Sequence, residues 1–563
     1  MPNHFIRTVS LAILVLSCLV ARTTARAADP PYDLVIRHGQ IVDGTGNPWF
    51  TGDLAIRGDR IAALGSISAI SAKREIDASG LTVAPGFIDM HSHSDFLLLE
   101  DGHAHSKIRQ GVTTEILGEG GSAGPFQYKL GARSVTVRGE TVMITRLQDY
   151  FSAVERSGIS VNVASYVGLD NIWQCAMGQA FDRPTAEQLD QMKKLVTQAM
   201  QDGAFGLSCQ LMMPPGSLAT TDDIVELCRD AVRPAGGLFS AHTRNEGIGV
   251  FDSVKEVIAI GERAAVPVDN IHLKIADQQY WGRMNEIIAL IEAARGRGVD
   301  IQANVYPYTR GNNNLSSIIP PWAHEGGKTK MLARLKDPAE REKLKRDIRS
   351  GIDGWYNHYT AVGGDWSRML ISADSPLAGL TMDRVIDLRT AGLEKKPEAL
   401  DLLFDLLLEH EGSISTVYAH HTEEDMNLAL LQPWCSIGSD GSSYAIEGTL
   451  RRGNPHPRNF GTFPRVLGVY VREQKLLRLE DAIRKMTSLN ANRLGLTDRG
   501  LLRPGMFADI TVFDAQRVID RATYTEPFQY NEGIEFVVVN GQIVLDAGRH
   551  TDAMPGRALR KGK

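Results

Sequence analysis

Two kinds of hydrophobic pattern divide the chain. Near the start, "YDLVIRHGQIVDGTG" (32–46) and "GDLAIRGDRIAALG" (52–65) alternate apolar and polar positions and break at glycines. Near the end, "GMFADITVFD" (505–514) and "IEFVVVNGQIVLDAG" (534–548) do the same. Period-two alternation bounded by turn residues predicts short strands joined by tight turns. The pieces "HGQIVD" and "NGQIVLD" are near copies. Strands from both ends are therefore expected to pair in one small β-domain, built from 28–85 and 498–563.

Between them the pattern changes. Apolar runs such as "GLTVAPGFIDM", "VTTEILG", "VNVASYVG", "AFGLSC", "GGLFSAH", "NIHLKI", "DIQANVYPY", "RMLISA" and "WCSIGSD" recur along the chain. Amphipathic stretches such as "TAEQLDQMKKLVTQAMQDG" and "MNEIIALIEAARGRG" lie between several of them. Strand–helix alternation predicts an α/β fold with a parallel sheet, and a segment of this length (86–497) suits a (β/α)8 barrel. Not every run need be a barrel strand. The charge-rich segment 321–365 is expected to be an insertion over the barrel mouth.

Composition changes the picture little: 43% hydrophobic and 23% charged residues are ordinary for a globular enzyme. The leader matters more. Arg7, the apolar run 9–21 and "ARA" (25–27) read as a signal peptide over 1–27, so a secreted or periplasmic protein is expected. "VLSC" (15–18) is a weak lipoprotein-box match. No later stretch is apolar and long enough to span a bilayer, so no stable membrane insertion is expected. The formal charge is −6, and the leader holds three arginines and no acid, leaving about −9 after cleavage. That argues against nucleic acid as a partner. Cys175, Cys209, Cys228 and Cys435 are widely spaced, which suggests neither a disulfide framework nor a cysteine zinc finger.

The ends of the predicted barrel strands carry the chemistry. "FIDMHSH" supplies His91 and His93, "LFSAHTRNE" His242, "NIHLKIAD" His272 and "SIGSDGSS" Asp440. Active residues of such barrels sit at the carboxyl ends of the strands. Four histidines and a carboxylate in that register point to a divalent metal site, zinc or a related ion. His420 and His421 in "YAHHTEED" also follow a strand-like run and stay ambiguous.

These residues carry a resemblance. "GFIDMHSHSD" with a terminal β-domain resembles the amidohydrolase superfamily, and within it the D-aminoacylases, or N-acyl-D-amino-acid deacylases. The supporting stretches include "GVTTEILGEG" (111–120), "AHTRNEG" (241–247), "IHLKIA" (271–276), "YPYT" (306–309), "IGSDG" (437–441), "HPRNFGTFPRVLGVYVRE" (456–473) and "DRGLLRPGMFADITVFD" (498–514). They span most of the chain after the leader. The resemblance implies a TIM-like barrel with a small β-sandwich, one or two zinc ions, and hydrolysis of the amide of a small N-acyl-D-amino acid. His91 and His93 would hold one metal position, His242 and His272 the other. Asp440 would touch the metal and move protons. Lys274 and Tyr306 would contact substrate, with Arg310 a second candidate for its carboxylate. D-dipeptides or cyclic amides, and a catalytically silent binding protein on the same scaffold, stay open as alternatives.

One departure stands out. D-aminoacylases typically carry a metal-binding cysteine in a "GNCG" context, whereas this chain reads "GEGG", with Gly120 at the cysteine position. The neighbouring carboxylate, Glu119, is the expected substitute ligand. Glu115 lies deeper in the strand, where a buried partner is expected instead. No lysine stands near "AFGLSC" to be carbamylated, which argues against the cyclic-amide branch.

Overall fold

A computed structural model describes residues 31–68 and 72–562; the leader reading at 1–27 falls outside them. Among the described residues no helix is long and apolar enough to cross a membrane.

The two chain ends meet in one nine-stranded sheet. Tyr32–Ile41 pairs antiparallel with Phe50–Arg57 along one edge. Its other edge is shared: the first half pairs parallel with Ala72–Asp77, the last two residues with Thr82–Pro85. The sheet divides there into two leaves around a common core of Leu34, Ile36, Ile76, Val83, Ile510 and Val538, all fully or nearly fully buried. Thr82–Pro85 pairs antiparallel with Ile510–Phe513, which joins the N-terminal strands to the C-terminal ones.

The barrel strands are β1 (Phe87–Asp89), β2 (Val112–Leu117), β3 (Asn162–Ser165), β4 (Gly206–Gln210), β5 (Leu238–His242), β6 (Val268–Asn270), β7 (Ile301–Val305) and β8 (Cys435–Ile437). All pair in parallel. β3 pairs with β2, and its continuation Val167–Gly168 pairs with β4. Their near-continuous burial reflects coverage on both faces. The Ala186–Asp202 helix shows how the cover is made. Thr185 and Gln188 form a capping box, Gly203 ends the helix at φ +114°, and Met192, Leu195, Val196 and Ala199 are buried.

The barrel closes between β8 and β1 beyond the strands themselves. Ser92 bridges Gly441 in parallel, and the Asp440 N–H donates to the His91 carbonyl at 2.8 Å. Beneath them Asp89 accepts from Ser439 N–H at 2.7 Å and from Lys107 Nζ at 2.7 Å. The closing seam thus runs through the segments that carry His91 and Asp440.

The insertion is larger than 321–365. Between β7 and β8, Gly311–Asn314, Met369–Ile371 and Ser415–Tyr418 form an antiparallel sheet. Helices including Gly327–Lys336, Pro338–Ser350 and Ala399–Glu409 surround it. A separate core of Leu315, Leu335, Ile348, Leu403, Phe404 and Tyr418 holds the unit together. The run "RMLISA" belongs here and not to the barrel. A short apolar run reads alike in either setting, and only its pairing tells them apart.

Candidate metal centre and active site

His91, His93, Glu119, His242, His272 and Asp440 all line one cavity of about 450 Å3 at the carboxyl ends of the barrel strands. His91 and His93 follow β1, Glu119 follows β2, His242 ends β5, His272 follows β6 and Asp440 follows β8. Two of them hold left-handed backbone, His272 at φ +35° and Asp440 at φ +51°. Such conformations cost on the order of 1–3 kcal/mol and gather at functional sites.

Distances are short at the centre. His91 Nε2 lies 3.1 Å from His93 Nε2. Asp440 Oδ1 lies 3.0 Å from His93 Nε2 and 3.5 Å from His91 Nε2. Ligands of a tetrahedral zinc are separated by about 3.3 Å, given bonds near 2.0–2.1 Å. Ligand atoms of His91, His272 and Asp440 lie within 4.8 Å of one another, and so do those of His242, Glu246 and His272. The His242 and His272 rings are 4.4 Å apart.

Glu119 supports the same reading. Its Oε1 accepts from Ser240 Oγ at 2.5 Å, while its Oε2 is buried without a partner. Burial pushes its carboxyl up to about 8, only partly offset by the Ser240 bond. His91 Nδ1 is also buried and unpartnered. Unsatisfied buried polar atoms are rare and costly. A cation beside Glu119 would reverse that cost, so these residues fit a divalent metal. Burial holds the His91 and His242 imidazoles below their usual range, His242 at about 4, which leaves them neutral as metal ligands must be.

Burial alone would raise Asp440, but the Arg458 guanidinium and the surrounding imidazoles outweigh it and hold the carboxyl well below its ordinary value. Arg458 Nη1 is 2.8 Å from Asp440 Oδ2, yet it is buried and makes no hydrogen bond of acceptable geometry. It lines the cavity and has donor capacity to spare.

Three expected substrate contacts are placed differently. Lys274, Tyr306 and Arg310 are not among the residues lining the cavity. Lys274 Nζ donates to Glu246 Oε1 at 2.5 Å and to the His272 carbonyl at 3.0 Å, and stands 2.7 Å from His272 Nδ1. On a continuous strand His272 and Lys274 would share a face. β6 ends at Asn270, and the positive φ of His272 breaks the alternation. Tyr306 is buried behind the site, its ring 4.9 Å from the Arg458 guanidinium and 6.4 Å from the His272 ring. The Arg310 guanidinium lies 4.5 Å from the Tyr524 ring.

Glu115 does meet buried partners: Ser92 Oγ and Ser94 Oγ each donate to its Oε2 at 2.5 Å. His421 Nε2 donates to the Tyr308 carbonyl at 2.7 Å, and neither it nor His420 lines the cavity. Glu246 and Arg458 were missed by the sequence reading. Both lie in quoted motifs, "AHTRNEG" and "HPRNFG", and an acid or arginine in a strand-end loop was the available signal.

Comparison with known proteins agrees with this geometry. The amidohydrolase family model matches residues 74–134 and 445–545. The chain is 34% identical to N-acyl-D-glutamate deacylase of Alcaligenes xylosoxydans xylosoxydans, over 94% of this chain and 96% of the relative. It is 34% identical to D-aminoacylase of the same organism, over 94% and 98%. The crystal structure of N-acyl-D-glutamate deacylase from Bordetella bronchiseptica, complexed with zinc and a phosphonate mimic of the tetrahedral intermediate, superposes with a TM-score of 0.77. That match has 32% identity and covers 94% of this chain and 99% of the other. With strand-end histidines, a buried aspartate and this similarity along nearly its whole length, the chain belongs to the amidohydrolase family, in its D-aminoacylase branch.

Proposed function

We propose that the protein is a zinc-dependent amidohydrolase that cleaves N-acyl-D-amino acids to a carboxylate and a free D-amino acid. The carrying observation is Asp440, converging with His91 and His93 and paired with Arg458 in one cavity. A bound zinc supplies Lewis acidity, polarising the amide carbonyl and easing deprotonation of water.

The chain's own residues do the rest. His91, His93, His242 and His272 would hold the cation, and Glu119 would add the anionic ligand through its unpartnered Oε2. Asp440 is ionised and held in place by His93 and Arg458, so it can accept the proton of the attacking water. It then delivers that proton to the leaving nitrogen, which leaves poorly as an amide anion. Arg458 lines the cavity, and its guanidinium is a cation there that can meet the substrate carboxylate. Lys274 neutralises Glu246 and fixes the His272 ring from behind.

The test is a panel of N-acetylated D- and L-amino acids offered to the wild-type enzyme and to Asp440→Asn. Free D-amino acid should be released and the L-forms largely refused. The variant should keep its fold and most of its metal while losing at least about 10²- to 10⁴-fold in kcat. Equal rates on both enantiomers, or a variant within a few-fold of wild type, would overturn the assignment.

A further inference from the structure

A further cluster of two histidines and an aspartate lies outside the cavity that holds Asp440. Asp101, His103 and His105 stand in "EDGHAHSK", and one ligand atom from each lies within 4.8 Å of the other two. None of the three lines the cavity. Asp101 Oδ1 is 2.6 Å from His103 Nδ1. The His103 and His105 rings stack, with centroids 5.2 Å apart and planes 10° from parallel. Ala104 between them is left-handed, at φ +50°, which a residue with a Cβ seldom adopts. His105 Nδ1 is buried and makes no hydrogen bond.

A third imidazole walls the cluster. His550 packs edge-on against His105 at 4.7 Å and His103 at 5.4 Å. Its Nδ1 accepts from the Asp552 N–H at 3.0 Å. The ring proton therefore sits on Nε2, which donates to the His103 carbonyl at 3.1 Å. With both nitrogens committed, His550 orients the neighbouring rings and is not itself a ligand. Asp552 Oδ1 is 3.8 Å from His103 Nε2 on a largely exposed side chain, within reach of a fourth position.

We propose that Asp101, His103 and His105 form a second metal site, structural in role and separate from the catalytic centre, that takes one zinc-like divalent ion. Two imidazoles and a carboxylate select zinc and its neighbours over calcium or magnesium, which prefer all-oxygen shells. The buried lone nitrogen of His105 gains the partner it lacks. The site has a mechanical consequence. Ser106 and Lys107 follow directly in the chain. Ser106 N–H donates to the Tyr444 carbonyl at 3.1 Å, and Tyr444 N–H donates to Ser106 Oγ at 3.0 Å. Lys107 Nζ reaches Asp89, Ser439 Oγ at 2.8 Å and the Gly441 carbonyl at 3.2 Å. An ion at 101–105 pins one end of the segment that buttresses the loop carrying Asp440.

Zinc content is measured on holoenzyme equilibrated with excess zinc and then gel-filtered, for wild type, His103→Ala/His105→Ala and the volume-conserving His105→Gln. Wild type should retain about one zinc per chain more than either variant. Excess zinc should raise the Tm of the wild-type holoenzyme and leave that of His105→Gln unmoved. Equal zinc content in wild type and His105→Gln, or an equal Tm rise in both, would overturn the site. His105→Gln changes one ring only, so the test stands even where the double variant does not fold.

Discussion

At the scale of single residues, the exchange of a cysteine for "EG" has a physical account. Gly120 sits at φ +73°, and a Cβ there would come 2.9 Å from Gln210 Cβ. Both facts oppose any side chain at that position. The anionic ligand must therefore come from a neighbour, and Glu119 has one carboxylate oxygen held by Ser240 and the other open. In Glu119→Gln the side-chain volume is kept and the charge is lost. Metal content should fall together with kcat, with affinity for zinc weakened at least about 10-fold. Metal analysis beside single-substrate kinetics checks this, and full occupancy with near-normal turnover would remove Glu119 from the ligand set. The pattern of the sequence singles out Glu119 as the candidate because only one acid flanks the vacant position. Arg458 was not legible in the same way, since a loop arginine carries no periodic signal and its role appears only once β8 closes on β1.

At the scale of elements, strand ends were the informative places and strand lengths the misleading ones. His91, His242 and Asp440 stand at strand ends, as the alternation of apolar runs with amphipathic helices implied. The resemblance implies a substrate contact for Lys274, yet β6 ends at Asn270 and Lys274 Nζ donates to Glu246. The placement separates two roles for the residue. As a carboxylate clamp its removal would raise KM and leave the metal in place. As the partner of Glu246 and His272 it works through a ligand, and its loss strands a buried carboxylate, which typically costs about 3–5 kcal/mol. Lys274→Ala should therefore lower metal content, kcat and Tm, with KM changed by less than about threefold. Kinetics on metal-saturated enzyme, paired with metal analysis, separates the two accounts: a raised KM at full occupancy would restore the clamp.

At the scale of the whole molecule, two units line one cavity. The barrel supplies the histidines, Glu119 and Asp440, whereas Asn312, Asn313, Ser372 and Ser415 reach the same cavity from the sheet and loops of the insertion. Three of these form a closed ring. Asn312 Nδ2 donates to Ser372 Oγ at 3.0 Å, Ser372 Oγ to Ser415 Oγ at 2.8 Å, and Ser415 Oγ to Asn312 Oδ1 at 3.0 Å. Asn312 and Ser415 stand on paired strands of the insertion's sheet, and Ser372 follows the third, so the ring belongs to the insertion. Asn312→Ala opens it and leaves two hydroxyls to find new partners. Each hydrogen bond is worth about 1 kcal/mol. The variant should accordingly shift kcat/KM by about 5- to 10-fold between substrates with polar and apolar side chains. Zinc content should stay at the wild-type level, because no ligand has moved. A substrate panel with metal analysis decides it: a uniform loss across all side chains, accompanied by lost zinc, would place Asn312 with the catalytic centre instead of with the wall that reads the substrate.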